Sequence, residues 1–209
     1  MAAFGRWWLR RKFGDGEWAC LLRPAPPAEW VSLDLETTGL DPRNDHILSL
    51  AAVPVRNGRV LTSERFERRI RADRAFGIES IRHHRITPGE AAEGVAVTAA
   101  VRAFMLWLEG RTLLGYHLAF DTAMLSPHVR ALAGFGLPNP RVDLADAFAA
   151  RARRVQPNAA PNLGFQHIAD SLGVPVLGRH TALGDAVTVG LCWLALQAAR
   201  GPAGGAAGP

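Results

Sequence analysis

The strongest constraint on how this chain folds is a change of hydrophobic period part way along it. Residues 30–37 (WVSLDLET) alternate in the two-residue rhythm of a strand, and residues 46–56 (HILSLAAVPVR) form a longer run of the same kind. Asn57-Gly58 follows at once. Both of its positions tolerate the left-handed backbone of a tight hairpin turn, so a third antiparallel strand is expected over residues 59–70. From residue 97 the rhythm becomes helical. Residues 97–109 carry apolar side chains at helical spacing and stop before Gly110. Further helices are expected over 120–133, 144–153, 163–172 and 181–199, with short strands at 111–116 and 141–142. Asp143 stands where a helix N-cap is needed. A meander of strands giving way to alternating strands and helices specifies an α/β domain, a mixed sheet flanked by helices.

The 209 residues, 48% hydrophobic and 21% charged, suffice for one well-buried core. Three prolines in residues 23–30 (RPAPPAEW) break any helix there. The expected organisation is therefore a basic, aromatic segment and Pro-rich linker over 1–29, a main domain over 30–200 and a disordered tail over 201–209. Cys20 and Cys192 have no paired spacing, which excludes a disulfide scaffold and a thiolate zinc site and points to a reducing, cytoplasmic compartment. The most apolar run, residues 186–199, falls short of the roughly 20 residues a membrane-spanning helix needs. The Arg-rich start lacks the long apolar region of a secretory signal. Lys plus Arg number 24 against 19 acids, and Lys12 is the only lysine. Arginine pairs with phosphate and stacks on bases, yet a GC-rich genome produces the same bias, so composition suggests a nucleic-acid partner without establishing one.

The informative residues are acids. On a strand, Asp34 and Glu36 project from the same face while Leu33 and Leu35 enter the core. Adjacent carboxylates repel, and burial aggravates the repulsion. A hard divalent cation relieves both penalties, although for an isolated D-x-E two solvated acids on an exposed strand face are the better account. Asp121 falls in the first turn of a helix that follows a buried strand, where any acid gains from the helix dipole. His180 and Asp185 would lie roughly 140° apart on one continuous helix. They converge only if His180 belongs to the preceding loop, as Gly178-Arg179 permits. Asp185 then sits on a helix otherwise committed to the core, where an unpaired charge is costly, and this favours a ligand role.

In order, Asp34-x-Glu36-Thr37-Thr38-Gly39, then Phe120-Asp121 after a strand, then His180-x-Ala182-Leu183-x-Asp185 opening the last helix, resemble the motifs of the DEDDh exonucleases. This is the DnaQ-like superfamily that includes the proofreading epsilon subunit of bacterial DNA polymerase III. The resemblance spans residues 31–197, and residues 80–88 (SIRHHRITP) look like the family's connecting segment between the sheet and the first long helix. It implies an RNase H-like fold, a mixed five-stranded sheet with two acids on its central strand. It also implies a metal-dependent 3′→5′ exonuclease that hydrolyses phosphodiester bonds from the 3′ end of DNA, chiefly single-stranded, and releases nucleoside 5′-monophosphates. Two Mg²⁺ or Mn²⁺ ions are the implied cofactors: Asp34 bridges them, Glu36 and Asp185 bind the ion that activates water, and Asp121 holds the second. His180 is the implied general base, a role its unperturbed pKa of about 6.5 suits near neutrality.

Thr37 and Thr38 stand where the family grips the terminal nucleotide, though T-T-G is also ordinary turn chemistry. His117 replaces the family's usual asparagine and stands with Thr37 and Thr38 as a candidate substrate-binding residue: it either contacts the substrate or positions the Asp121 loop, positioning being the expected role. Two other functions stay open: an exoribonuclease of the same superfamily, and a noncatalytic nucleic-acid-binding subunit, which the five filled catalytic positions oppose. Residues 1–29, with Trp7, Trp8 and their arginines, either pack on the domain or dock a protein partner, a membrane surface or nucleic acid. His83 and His84 read as a surface or structural pair. The arginines at 65, 68, 69, 71, 74, 82 and 85 read as a solvated face or a phosphate track, and Asp143 and Asp146 as caps.

Overall fold

The computed structural model describes residues 2–72, 74, 76–158 and 160–199, with backbone alone at 2–6, 79 and 83; the tail expected to be disordered lies outside the described residues. A helix α1 (Ala2–Phe13) and a 3-10 turn (Glu17–Leu22) precede the sheet. Strands β1 (Glu29–Thr37) and β2 (Ile47–Arg56) pair antiparallel along their whole length. The turn after β2 has Asn57 at φ +53° and Gly58 at φ +69°, the left-handed pair that the dipeptide predicts.

The expected third strand is broken in two. β3 (Arg59–Val60) and β4 (Phe66–Arg69) both pair with β2, and a 3-10 turn (Thr62–Glu64) bulges out between them. Pro54 supplies the reason. Its carbonyl accepts the Leu61 N–H on that side of β2, but proline has no N–H to return, so the ladder lapses beside it. The sheet therefore has six strands rather than five, in the order β3-β2-β1 with β4 also on β2.

Helices α2 (Ile78–His84), α3 (Pro88–Ala92) and α4 (Val97–Leu108) lead to β5 (Thr112–Gly115), which lies parallel to β1 beside residues 30–32. Helix α5 (Leu118–Ala133) follows. β6 (Arg141–Asp143), parallel to β5, feeds α6 (Leu144–Val155), and α7 (Phe165–Ser171) and α8 (Ala182–Ala198) complete the domain. β1 is central, as the resemblance implies.

Alternation along β1 sorts its side chains between two layers. Val31, Leu33 and Leu35 join a core with Phe104, Met105 and Leu108 of α4 and Leu125 and Val129 of α5. Trp18, Leu21 and Leu22 are buried in that same core, so the chain ahead of the sheet is packed rather than merely tethered, while Trp7 and Trp8 stay about half exposed. On the opposite face, Trp30 meets Trp193 edge-on at 5.4 Å and the Ser32 hydroxyl donates to the Ala186 carbonyl at 2.7 Å. Ala186 and Gly190 let α8 approach this closely: a Cβ at Gly190 would stand 3.0 Å from Val55 and 3.1 Å from Val60. The close docking of α8 on β1 is what carries Asp185 to the strand. Among the described residues no helix is long and apolar enough to cross a membrane.

Candidate active site

β1 runs four residues, Leu33 to Glu36, beyond its last pair with β5 before the bulge between Glu36 and Thr37, leaving a crevice at the carboxyl ends of two parallel strands. Such crevices are where open α/β sheets present their functional groups. Asp34 and Glu36 share the face of β1 that Trp30 and Ser32 turn to α8, and Asp185, in the first turn of α8, meets them there. Each of the three offers a carboxylate oxygen, and these oxygens all lie within 4.8 Å of one another.

Asp121 reaches the same crevice from the first turn of α5, in the other layer. It takes hydrogen bonds from its own N–H and from that of Leu35, a β1 residue past the end of the β5 pairing. Its side chain lies outside the tight trio but acts on Asp34 more strongly than any other neighbouring charge.

Burial dominates the electrostatics. It pushes the Asp34 carboxyl well above the usual range, helped by the charges of Asp121, Asp185 and Glu36, against which Arg179 pulls down. Glu36 is raised from 4.5 to about 7 by burial and then by Asp185, again opposed by Arg179. Asp121 is raised from 3.8 to about 8, by burial first, with its two backbone hydrogen bonds in opposition. Acids so placed hold protons near neutrality unless a cation replaces them. An all-oxygen donor set under mutual repulsion fits a hard divalent ion, so the residues present suit the metal that the motif implies.

His180 lies in the turn before α8, off the helix, which is the condition for it to face Asp185. Its backbone is left-handed at φ +64°, and that of Gly178 at φ +54°. Thr181 caps α8 by accepting the Gly184 N–H and donates to the Gly178 carbonyl. Gly184 is what lets this loop close on the helix: a Cβ there would sit 2.3 Å from the Gly178 carbonyl oxygen and 2.4 Å from that of Leu177. His117 is the other site histidine in left-handed backbone, at φ +55°. Its ring is exposed and packs on Tyr116 at 4.2 Å, while its carbonyl starts the first turn of α5 by accepting the Phe120 N–H.

The hydroxyls of Thr37 and Thr38 are engaged within their own loop. Thr37 donates to the Gly39 carbonyl at 2.7 Å and Thr38 to Asp45 at 2.9 Å, while the Thr38 N–H donates to the His46 carbonyl at 2.9 Å. Asp143 caps α6 through the Ala145 N–H, as the sequence suggests, and also accepts the Leu118 N–H at the start of α5. One carboxylate thereby joins the two helix starts beside Asp121.

Residue 84 is placed as only the fold could place it. His84 is buried: its Nδ1 accepts the Ile86 N–H, and its Nε2 lies 2.6 Å from the Ser80 hydroxyl, which in turn faces the Thr37 carbonyl at 3.4 Å. It ties α2 to the end of β1, whereas the His83 side chain lies outside the described residues. The Thr87-x-x-Glu90 capping box that starts α3 was a readable signal for that helix. The arginine stretch is partly neutralised, Arg65 on Glu67 and Arg69 on Glu90, and Arg69 and Arg85 line a pocket of about 210 Å³ beside Glu36. A larger recess, about 780 Å³ between Trp30, Asn57 and Leu194, lies at the far end of β1 and has no titratable side chain among the described residues that line it. Clustered chemistry, not volume, marks the site.

Residues 31–190 match the model of the Exonuclease family (RNase_T). The chain is 32% identical over 184 residues to a DNA polymerase III subunit epsilon-like protein of Rhodobacter capsulatus, covering 87% of this chain and 25% of that protein. It is 27% identical over 169 residues to the PolC-type DNA polymerase III of Oceanobacillus iheyensis, covering 80% of this chain and 11% of that one. The chain thus spans about a quarter or less of these relatives. Among solved structures it resembles E. coli exonuclease I in complex with a dT13 oligonucleotide, with a TM-score of 0.68, 19% identity, and coverage of 81% of this chain and 41% of that one. It also resembles the cell-death related nuclease 4, with a TM-score of 0.68, 14% identity, and coverage of 84% and 65%. At these identities the structural likenesses establish the fold.

Proposed function

The chain belongs to the Exonuclease family, and on that premise we propose that it is a divalent-metal-dependent 3′→5′ exonuclease acting on single-stranded DNA ends and releasing nucleoside 5′-monophosphates. The observation that carries the reading is the trio Asp34, Glu36 and Asp185, whose oxygens converge within 4.8 Å at the open end of β1. In this reading Asp34, Glu36 and Asp185 hold one ion, and Asp34 with Asp121 a second. Bound Mg²⁺ or Mn²⁺ supplies Lewis-acid stabilisation to the attacking and leaving oxygens of an in-line displacement. His180, held in the turn that Thr181 and Gly184 fasten to the start of α8, takes the proton from the attacking water, a contribution of about 10²–10⁴ in rate. The Thr37-Thr38 turn at the end of β1 seats the terminal nucleotide, and His117 orders the turn that presents Asp121. The packed N-terminal segment leaves Trp7 and Trp8 outward, which supports a docking role for residues 1–29.

The test is a time course on matched 5′-labelled DNA and RNA oligonucleotides with Mg²⁺, Mn²⁺ or EDTA. A ladder shortening from the 3′ end, on DNA, only with metal, is expected. Asp34→Ala should abolish it, and His180→Ala should slow it by about 10²–10⁴ while Mn²⁺ still binds. Preferential loss of RNA would reassign the substrate, and full activity in both variants would overturn the reading.

A further inference from the structure

Arg179 immediately precedes the proposed base, and its guanidinium enters the acid cluster. It forms an ion pair with Oδ2 of Asp185. The same guanidinium lies 4.3 Å from the centre of the Phe165 ring, at the start of α7. Its charge also acts on Asp34 and Glu36, against the effect of burial on both. Three contributions thus converge on one side chain: a carboxylate bond, an aromatic seat, and the field of two further acids.

Stacking and ion pairing use different parts of a guanidinium, the planar face and the N–H edge, so arginine can make both at once where lysine's point charge cannot. The side chain is 39% exposed, against 7% for Asp185, so the cation enters from the rim while its partner is anchored in the core. The carboxylate oxygen that accepts the guanidinium belongs to the same group that completes the metal trio. A divalent ion and the guanidinium therefore compete for Asp185.

Resting on the exonuclease reading, we propose that Arg179 is the resident counter-ion of the metal-free acid cluster, and that a divalent cation binds by displacing it from Asp185. The Phe165 ring keeps the released guanidinium at the rim, from which it returns when the ion leaves. Two consequences follow for a chain that must fold before it is loaded. The acids repel one another less in the metal-free protein, and cation affinity is lower than the carboxylates alone would give.

The experiment is a Mn²⁺ titration of the metal-stripped full chain at pH 7.5, by calorimetry and by loss of the free-ion resonance signal, with folding checked by circular dichroism. Arg179→Gln and Arg179→Met both remove the charge, and Met retains apolar contact with Phe165. Either is expected to bind Mn²⁺ about tenfold more tightly than wild type, the effect of one charge a few ångströms away in a half-open site. Arg179→Lys keeps the charge but not the flat face that rests on Phe165, and should bind Mn²⁺ less tightly than either neutral variant. Without metal at pH 8, the neutral variants should melt below wild type and gain more from added Mn²⁺. If wild type binds Mn²⁺, Asp185→Asn loses it, and neither neutral variant binds more tightly, the exchange is refuted and the exonuclease reading stands. If wild type binds no Mn²⁺ at all, both fall.

Discussion

Glu36 is the side chain through which the electrostatic cost of this site can be measured. Its folded pKa of about 7 exceeds the ordinary 4.5 because the carboxyl is buried and then because Asp185 is close. A raised folded pKa means that the native state holds the proton more tightly than the unfolded chain does. The associated stability is fully present at low pH and is lost as pH climbs from about 4.5 through about 7. At ~1.4 kcal/mol for each pH unit between the two values, the loss is about 3 kcal/mol by pH 8. Glu36→Gln keeps the shape and removes the ionisation. In EDTA the variant is expected to match wild type within about 1 kcal/mol near pH 5 and to exceed it by about 3 kcal/mol at pH 8. Asp121, held at about 8, deepens the pH-dependent fall in the same direction for both proteins. Adding Mn²⁺ at pH 8 should reverse the order, because only wild type retains the full trio of ligands. Urea unfolding followed by tryptophan fluorescence measures all of these. A variant less stable than wild type at pH 8 without metal, or one with the same increment at both pH values, would refute the assignment of Glu36 as a repelled, buried acid.

Gly184→Ala places a methyl group against the Gly178 and Leu177 carbonyls and is expected to cost about 1–3 kcal/mol. Because the displaced loop carries His180, hydrolysis should fall further than stability explains, which activity assays well below the melting transition will show. Asp143→Ala removes the α6 cap and the acceptor for the Leu118 N–H, so urea unfolding should report a loss of about 2 kcal/mol. A change of only a few tenths would mean that water replaces the carboxylate at both helix starts.

Much of the site was legible because its information is local. Period-two alternation was enough to put Asp34 and Glu36 on one face, whatever the strand packs against. Helical geometry was enough to require His180 off the helix, and Gly178 made the turn readable in advance. Asp143 announced itself as a cap by position. The hairpin at Asn57-Gly58 and the later strands and helices fell where their patterns placed them, within a few residues at each end. The third strand did not, because the pattern of residues 59–70 carries no record that the strand opposite has a proline at 54.

What the tertiary structure decided is how charges from distant parts of the chain meet. Sequence spacing fixes directions within one element, but the field at Asp34 depends on which helix is docked on its face and how closely. Small residues at Ala186 and Gly190 let α8 bring Asp185 to β1, and the open N–H of Leu35 holds Asp121 from the other layer. Packing of α2 on the end of β1 buries His84 behind Thr37, and the loop before α8 seats Arg179 between Phe165 and Asp185, relations invisible in a linear string of arginines and histidines. By itself the sequence determined which residues carry the charge and which way they point on their own strand or helix. Their displaced pKa values, and the competition of a guanidinium for a metal ligand, arise only where burial removes water and separate elements bring those charges within a few ångströms.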